Sequence, residues 1–83
     1  MGKHDNTLEA IFARPTRANI RWADIEALLR HQGAEIFESE GSRVKVALNG
    51  RRATFHRPHP KPDAKKGVVE HVREFLEQAG VVP

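Results

Sequence analysis

The sequence predicts an α+β domain in which a three-stranded antiparallel sheet carries helices on one face, in the order α-β-β-β-α, with an extra N-terminal helix. Three observations predict it. Val44, Val46 and Leu48 alternate with Arg43, Lys45 and Ala47, the period of a strand with one buried face. Asn49-Gly50 follows directly, and this dipeptide best accepts the two positive φ angles of a type I′ hairpin turn. Apolar residues at helical spacing flank the stretch, with Trp22, Ile25, Leu28 and Leu29 before it and Val68 or Val69, Val72, Phe75, Leu76 and Ala79 after it.

In chain order, Asn6-Thr7-Leu8-Glu9 has the form of an N-cap with an acid three residues on, and Leu8, Ile11 and Phe12 give the helix that follows one apolar side. Pro15 closes that helix, because the residue before a proline is pushed out of the helical region. Thr16 to Asn19 reads as a connector and the helix as an appendage docked on the core. The next helix runs from about Arg21 to Gln32 and stops at Gly33. Ala34 to Glu38 is extended, with its facing left open because the apolar pair Ile36 and Phe37 is adjacent. After the turn, Arg51 to His56 returns as the second arm of the hairpin. Alternation then places Arg43 and Lys45 near Arg52, Thr54 and His56 on the face away from the helices. Three prolines in Arg57-Pro58-His59-Pro60-Lys61-Pro62 remove ladder donors and stiffen the backbone, so this is a rigid exit loop. Asp63 to Gly67 leads into the last helix, which ends at Gly80. Trp22 and Phe55 read as core, His4, His31 and His71 as surface residues, and no aromatic interleaving of the kind used by single-strand binders is evident.

Composition limits the chemistry. Eighty-three residues make one small domain with a compact core. The chain has no cysteine, which excludes disulfides, thiol catalysis and thiolate metal sites. Neither a signal peptide nor a membrane span is evident, so a soluble, cytoplasmic protein without membrane partners is expected. Charge is concentrated. Between Gly41 and Gly67, Arg43, Lys45, Arg51, Arg52, Arg57, Lys61, Lys65 and Lys66 face the single acid Asp63, giving this block +7 in a chain whose net charge is +3. Such a field attracts an anion of repeating charge, above all a nucleic acid. These cations fit duplex or structured RNA, read through phosphates and 2′-hydroxyls, and helix-start amides add to the pull of Lys65 and Lys66 on phosphate.

A helix, three antiparallel strands and a closing helix form the architecture of a double-stranded-RNA-binding domain. From Ile20 to Gly80 the chain also resembles HicA, the small toxin of bacterial HicA/HicB toxin–antitoxin modules. The residues that carry the resemblance are Ile25, Leu28, Leu29 and Gly33, then Gly41-Ser42, Asn49-Gly50-Arg51, His59-Pro60, Lys66-Gly67 and Gln78-Ala79-Gly80. The resemblance divides the chain into an N-terminal helix and connector over 1–19 and a HicA-like domain over 20–83. It implies a double-stranded-RNA-binding-domain-like fold, an mRNA-cleaving activity that needs no metal or cofactor, and a HicB-like antitoxin as partner.

One departure bears on the activity. HicA toxins usually read Gly-Ser-His, and that histidine is the residue credited with cleavage, whereas here Gly41-Ser42 is followed by Arg43. Arginine stays protonated, so it can hold a phosphate but cannot act as a general base. The imidazoles nearest the basic block are His56 and His59, of which His59 matches a histidine often seen in the family. Metal-free RNA cleavage needs a base for the 2′-OH proton, an acid for the leaving oxygen and cations around the transition state, and these two residues are the catalytic candidates. His56-x-x-His59 lacks a third ligand, so no metal site is expected. Three readings follow: an RNA-cleaving toxin, a non-catalytic RNA-binding module of the same fold, or a protein-interaction domain whose basic patch docks an acidic partner and whose Leu8, Ile11 and Phe12 helix builds a homodimer or an extended interface.

Overall fold

The computed structural model describes residues 2–58 and 62–83, so the expectations placed on His59, Pro60 and Lys61 lie outside the described residues. The elements run α1 (Lys3–Phe12), β1 (Ile20–Arg21), α2 (Trp22–His31), β2 (Glu35–Glu38), β3 (Arg43–Leu48), β4 (Arg51–His56), β5 (Asp63–Ala64) and α3 (Lys66–Gln78).

The central hairpin forms as its sequence dictates. Asn49 takes φ 50° and Gly50 φ 79°, the left-handed pair that a type I′ turn requires. β3 and β4 then pair antiparallel from Leu48↔Arg51 out to Arg43↔His56, and β2 adds on the other side of β3 to give the order β2-β3-β4. Asn49 also anchors the turn, because its Nδ2 donates to the Ala79 carbonyl at the end of α3 over 2.8 Å. The α+β architecture with a three-stranded antiparallel sheet is therefore that of the expected double-stranded-RNA-binding-domain-like fold.

The core lies between this sheet and α2 and α3. Val44, Val46, Leu48 and Phe55 point inward and meet Ile25, Leu28 and Leu29 of α2 and Val69, Val72, Phe75 and Leu76 of α3, all buried. Phe55 is its aromatic hub, with ring centres 5.9 Å from Trp22 and 5.8 Å from Phe75, the latter edge-on. Offset and edge-on contacts of this kind add about 0.5–1.5 kcal/mol each beyond area burial. Gly33 and Gly80, at φ 93° and 82°, follow the two core helices as left-handed terminators.

Two features depart from the sequence reading. The first is a short antiparallel ribbon in which Ile20 pairs with Ala64 and Arg21 with Asp63, tying the residue before α2 to the approach to α3. Two-residue strands have no period, so the segments read as connectors. The second is the start of α1. The helix begins at Lys3, not after Asn6, with Gly2 as N-cap and its N–H donating to Asp5 Oδ2 over 3.4 Å. Asp5 thus fills the role the sequence gives Glu9.

α1 is docked on its own chain. Leu8 and Ile11 are buried in the common core, and α1 packs on both α2 and α3. Its C-terminal end leaves carbonyls without helical partners. Arg73 of α3, itself 6% exposed, answers them by donating Nε to Ile11 O over 3.0 Å and Nη2 to Ala13 O over 3.4 Å, and Nη2 also donates to the Thr16 hydroxyl over 2.9 Å. The apolar side expected to build a homodimer or an extended interface is thus covered by this chain's own α2 and α3. Among the described residues, no helix is long and apolar enough to cross a membrane.

Candidate nucleic-acid interface

With Val44, Val46 and Phe55 turned into the core, strand alternation forces their neighbours outward. The outer face of the sheet therefore carries three cross-strand rows. Arg43 stands opposite His56, Lys45 stands between Phe37 and Thr54, and Ala47 stands between Glu35 and Arg52. Arg43, Lys45, Arg52, Thr54 and His56 are all exposed. Directly opposed residues have Cβ atoms about 4.5–5.5 Å apart, so the side chains of His56 and Arg43 leave the sheet side by side.

The remaining basic candidates stand elsewhere. Arg51 pairs with Leu48 and so has the inward parity, although its place beside the turn leaves it exposed. Lys65 is the N-cap of α3 and Lys66 its first residue, both exposed, at the start of a helix packed on the inner face of the sheet. There the unpaired amides of the first turn reinforce the two ammonium groups. His59 and Lys61 lie outside the described residues.

Arg57 is committed to acids. Its Nε donates to Glu26 Oε2 over 2.8 Å and its Nη1 to Glu38 Oε1 over 2.6 Å. Glu26 is largely buried and also accepts the indole N–H of Trp22, while Arg30 comes within 3.5 Å of its Oε1. The network closes the end of β4 onto α2 and β2. The bond from Arg57 holds the Glu38 carboxyl below its ordinary range, and the two carboxylates raise Arg57 further above its own. This pairing joins residues far apart in sequence, and neither local pattern nor charge counting signals it.

Trp22 and Phe55 are core residues, as the sequence indicates, while Phe37 is exposed on the outer face among the cations. His31 and His71 are exposed, but His4 is half-buried and stacks on His31 with ring centres 4.4 Å apart. Among the described residues, no group of three or more histidine, aspartate or glutamate side chains could hold a metal ion. Chemically, the outer face offers fixed cations for phosphate, a hydroxyl for hydrogen bonding and one imidazole, that of His56.

In comparisons with known proteins, no curated protein and no solved structure matches the chain. A family model described as the HicA toxin of bacterial toxin-antitoxin systems does match, over residues 22–81. The match takes in α2, the whole three-stranded sheet and α3, and it leaves out α1. Covering well over half of the sequence and the face described above, it assigns this chain to the HicA toxin family of bacterial toxin–antitoxin systems, in which an antitoxin is the partner.

Proposed function

We propose that the chain is a cytoplasmic toxin that binds mRNA through the outer face of the β3–β4 hairpin and cleaves it without a metal, and that a HicB-like antitoxin neutralises it by covering that face. The observation that carries the reading is the register that sets Arg43 against His56 and Lys45 against Thr54, all exposed. Arg43, Lys45 and Arg52 hold the backbone phosphates, with Lys65, Lys66, Arg51 and Lys61 extending the field. His56 and His59 supply the two imidazoles. One takes the 2′-OH proton as that oxygen attacks phosphorus, and the other returns a proton to the departing 5′-oxygen. The guanidinium of Arg43 stabilises the charge that gathers on the phosphoryl oxygens.

Arg43 itself favours a second reading. It occupies the position where the family resemblance expects the cleaving histidine, and a permanent cation binds phosphate without taking a proton. On this reading the chain binds RNA and leaves it intact. The deciding experiment is cleavage of end-labelled RNA in EDTA by the wild type and by His56→Ala, His59→Ala and Arg43→Ala. Cleavage that survives EDTA and is abolished by a histidine substitution establishes the nuclease. Salt-sensitive binding with no cleavage by any form establishes the binding module.

A further inference from the structure

We propose that Phe37 is a base-stacking platform and that the basic sheet face takes unpaired RNA rather than a paired stem. The proposal rests on the RNA-binding reading above and narrows it. Ile36 packs against the core, so alternation turns Phe37 to the outer face, where the residue is 50% exposed. Among the described residues, the other large apolar residue this exposed is Val82, near the end of the chain. Among the described residues β2 is an edge strand of the sheet, and no further strand flanks the ring.

Its neighbours give the ring a chemical context. Phe37 pairs with Lys45 and Lys45 with Thr54, so phenyl, ammonium and hydroxyl form one row across the sheet. The row spans two strand spacings, roughly 10 Å. The Arg43–His56 row runs along one flank, and the row of Glu35, Ala47 and Arg52 along the other. Glu35 is the one acid in these three rows, since Glu38 has the opposite parity and is held by Arg57.

Three cations in these rows select a polyanion, and the ring selects which polyanion. A paired A-form stem keeps its bases stacked inside and presents phosphates and 2′-hydroxyls, which give a phenyl ring nothing to contact. An unpaired nucleotide presents a π face and a phosphate together, and an aromatic ring beside a cation answers both. The occupant is therefore a single-stranded segment or an open loop, with one base on Phe37 and its phosphates on Lys45 and Arg43.

The test is fluorescence anisotropy with a labelled single-stranded oligoribonucleotide and a fully paired hairpin stem of equal phosphate count, using the full chain, Phe37→Ala, Phe37→Trp and Lys45→Ala. Circular dichroism melting confirms that each variant is folded. Phe37→Ala is expected to weaken single-strand binding roughly 5- to 100-fold and to leave stem binding unchanged. Phe37→Trp restores or tightens single-strand binding, and its added emission is quenched when the strand binds. Equal losses for both ligands, or no loss for either, overturn the proposal. If Lys45→Ala weakens binding while Phe37→Ala does not, the RNA-binding reading stands and the platform fails. No binding of either RNA by the wild type overturns both. Unchanged RNA binding by Phe37→Ala together with weakened binding of the antitoxin assigns the ring to a protein interface and also overturns the proposal.

Discussion

Arg73 Nε donates to the main-chain oxygen of Ile11 over 3.0 Å, so a side chain of the last helix caps the end of the first, 62 positions away in sequence. α1 has no basic residue of its own in its last turn. The buried guanidinium fills that gap, and the partial negative charge of the helix end answers its charge. Arg73 therefore joins α1, which lies outside the span matched by the family model, to the domain that the model describes.

Arg73→Ala is expected to destabilise the fold by about 2–3 kcal/mol, the range for losing a charge-assisted hydrogen bond and stranding a buried carbonyl. Urea unfolding measures the loss. Hydrogen exchange locates it, with α1 amides exchanging faster while those of β3 and β4 keep their protection relative to global unfolding. Arg73→Lys recovers little, because an ammonium cannot reproduce the planar fork that reaches Ile11, Ala13 and Thr16 together.

Asn49 holds a left-handed conformation and a bond to the end of α3, and two substitutions separate the roles. Asn49→Gly keeps the turn and loses only the 2.8 Å bond to Ala79 O, for a cost of about 0.5–1.5 kcal/mol. Asn49→Ala loses that bond and also puts in the left-handed region a residue without the polar side chain that lets asparagine tolerate it, adding up to about 1–2 kcal/mol. Thermal unfolding of the two variants should rank them in that order. Equal stabilities would show that the side-chain bond alone sets the cost.

The contrast between the hairpin and its surroundings shows what local sequence can specify. Asn49-Gly50 and the alternation of Val44, Val46 and Leu48 are signals within a dozen residues, and they determine the turn, the register and the outward row of Arg43 and Lys45. The facing of Phe37 was not legible, since Ile36 beside it fits the core equally well by hydropathy and only the pairing Ile36↔Val46 decides between them. The charge block identified a basic surface but could not show that Arg57 is withdrawn from it, because its partners Glu26 and Glu38 are brought in by α2 and β2. For the same reason the Ile20–Ala64 ribbon and the Arg73 cap were invisible. Each depends on two segments that are far apart in sequence and adjacent only in the folded chain.

The Arg57–Glu38 pair predicts a pH dependence of stability. The carboxyl of Glu38 is held below its ordinary value of 4.5, chiefly by the hydrogen bond from Arg57 and then by its charge. A carboxyl depressed on folding binds fewer protons in the native state than in the unfolded one, so its contribution is fully present above the unfolded value. The contribution is lost as pH falls from about 4.5 through the lower folded value. Glu38→Gln should flatten this part of the stability profile between neutral pH and pH 3 while preserving the Arg57–Glu26 contact. Because Glu38 is exposed, raising the salt concentration should shrink the difference between the two proteins. Urea midpoints taken across the acid range provide the check.

The last prediction concerns the residue by which this chain departs from the family's usual Gly-Ser-His. Arg43 is exposed and directly opposite His56, so Arg43→His sets two imidazoles side by side on the outer face without touching the core. A proton-transferring group at the reacting centre contributes roughly 10²–10⁴ in rate. On the second reading, in which the missing histidine leaves RNA intact, this substitution is therefore expected to raise EDTA-resistant cleavage by about 10²-fold, whereas on the first it removes the cation that stabilises the transition state and gives no gain. It also removes a fixed cation, so the logarithm of single-strand affinity should fall less steeply with the logarithm of salt, by about 0.7 in slope. Single-turnover cleavage and a salt titration of binding measure the two effects on the same protein. A gain in rate with the shallower slope means that the site kept its geometry and lost its base. A shallower slope with no gain means that Arg43 contacts phosphate and that proton transfer is handled elsewhere, by His56 or His59. An unchanged slope would place the phosphate contacts on Lys45 and Arg52 and remove Arg43 from the interface.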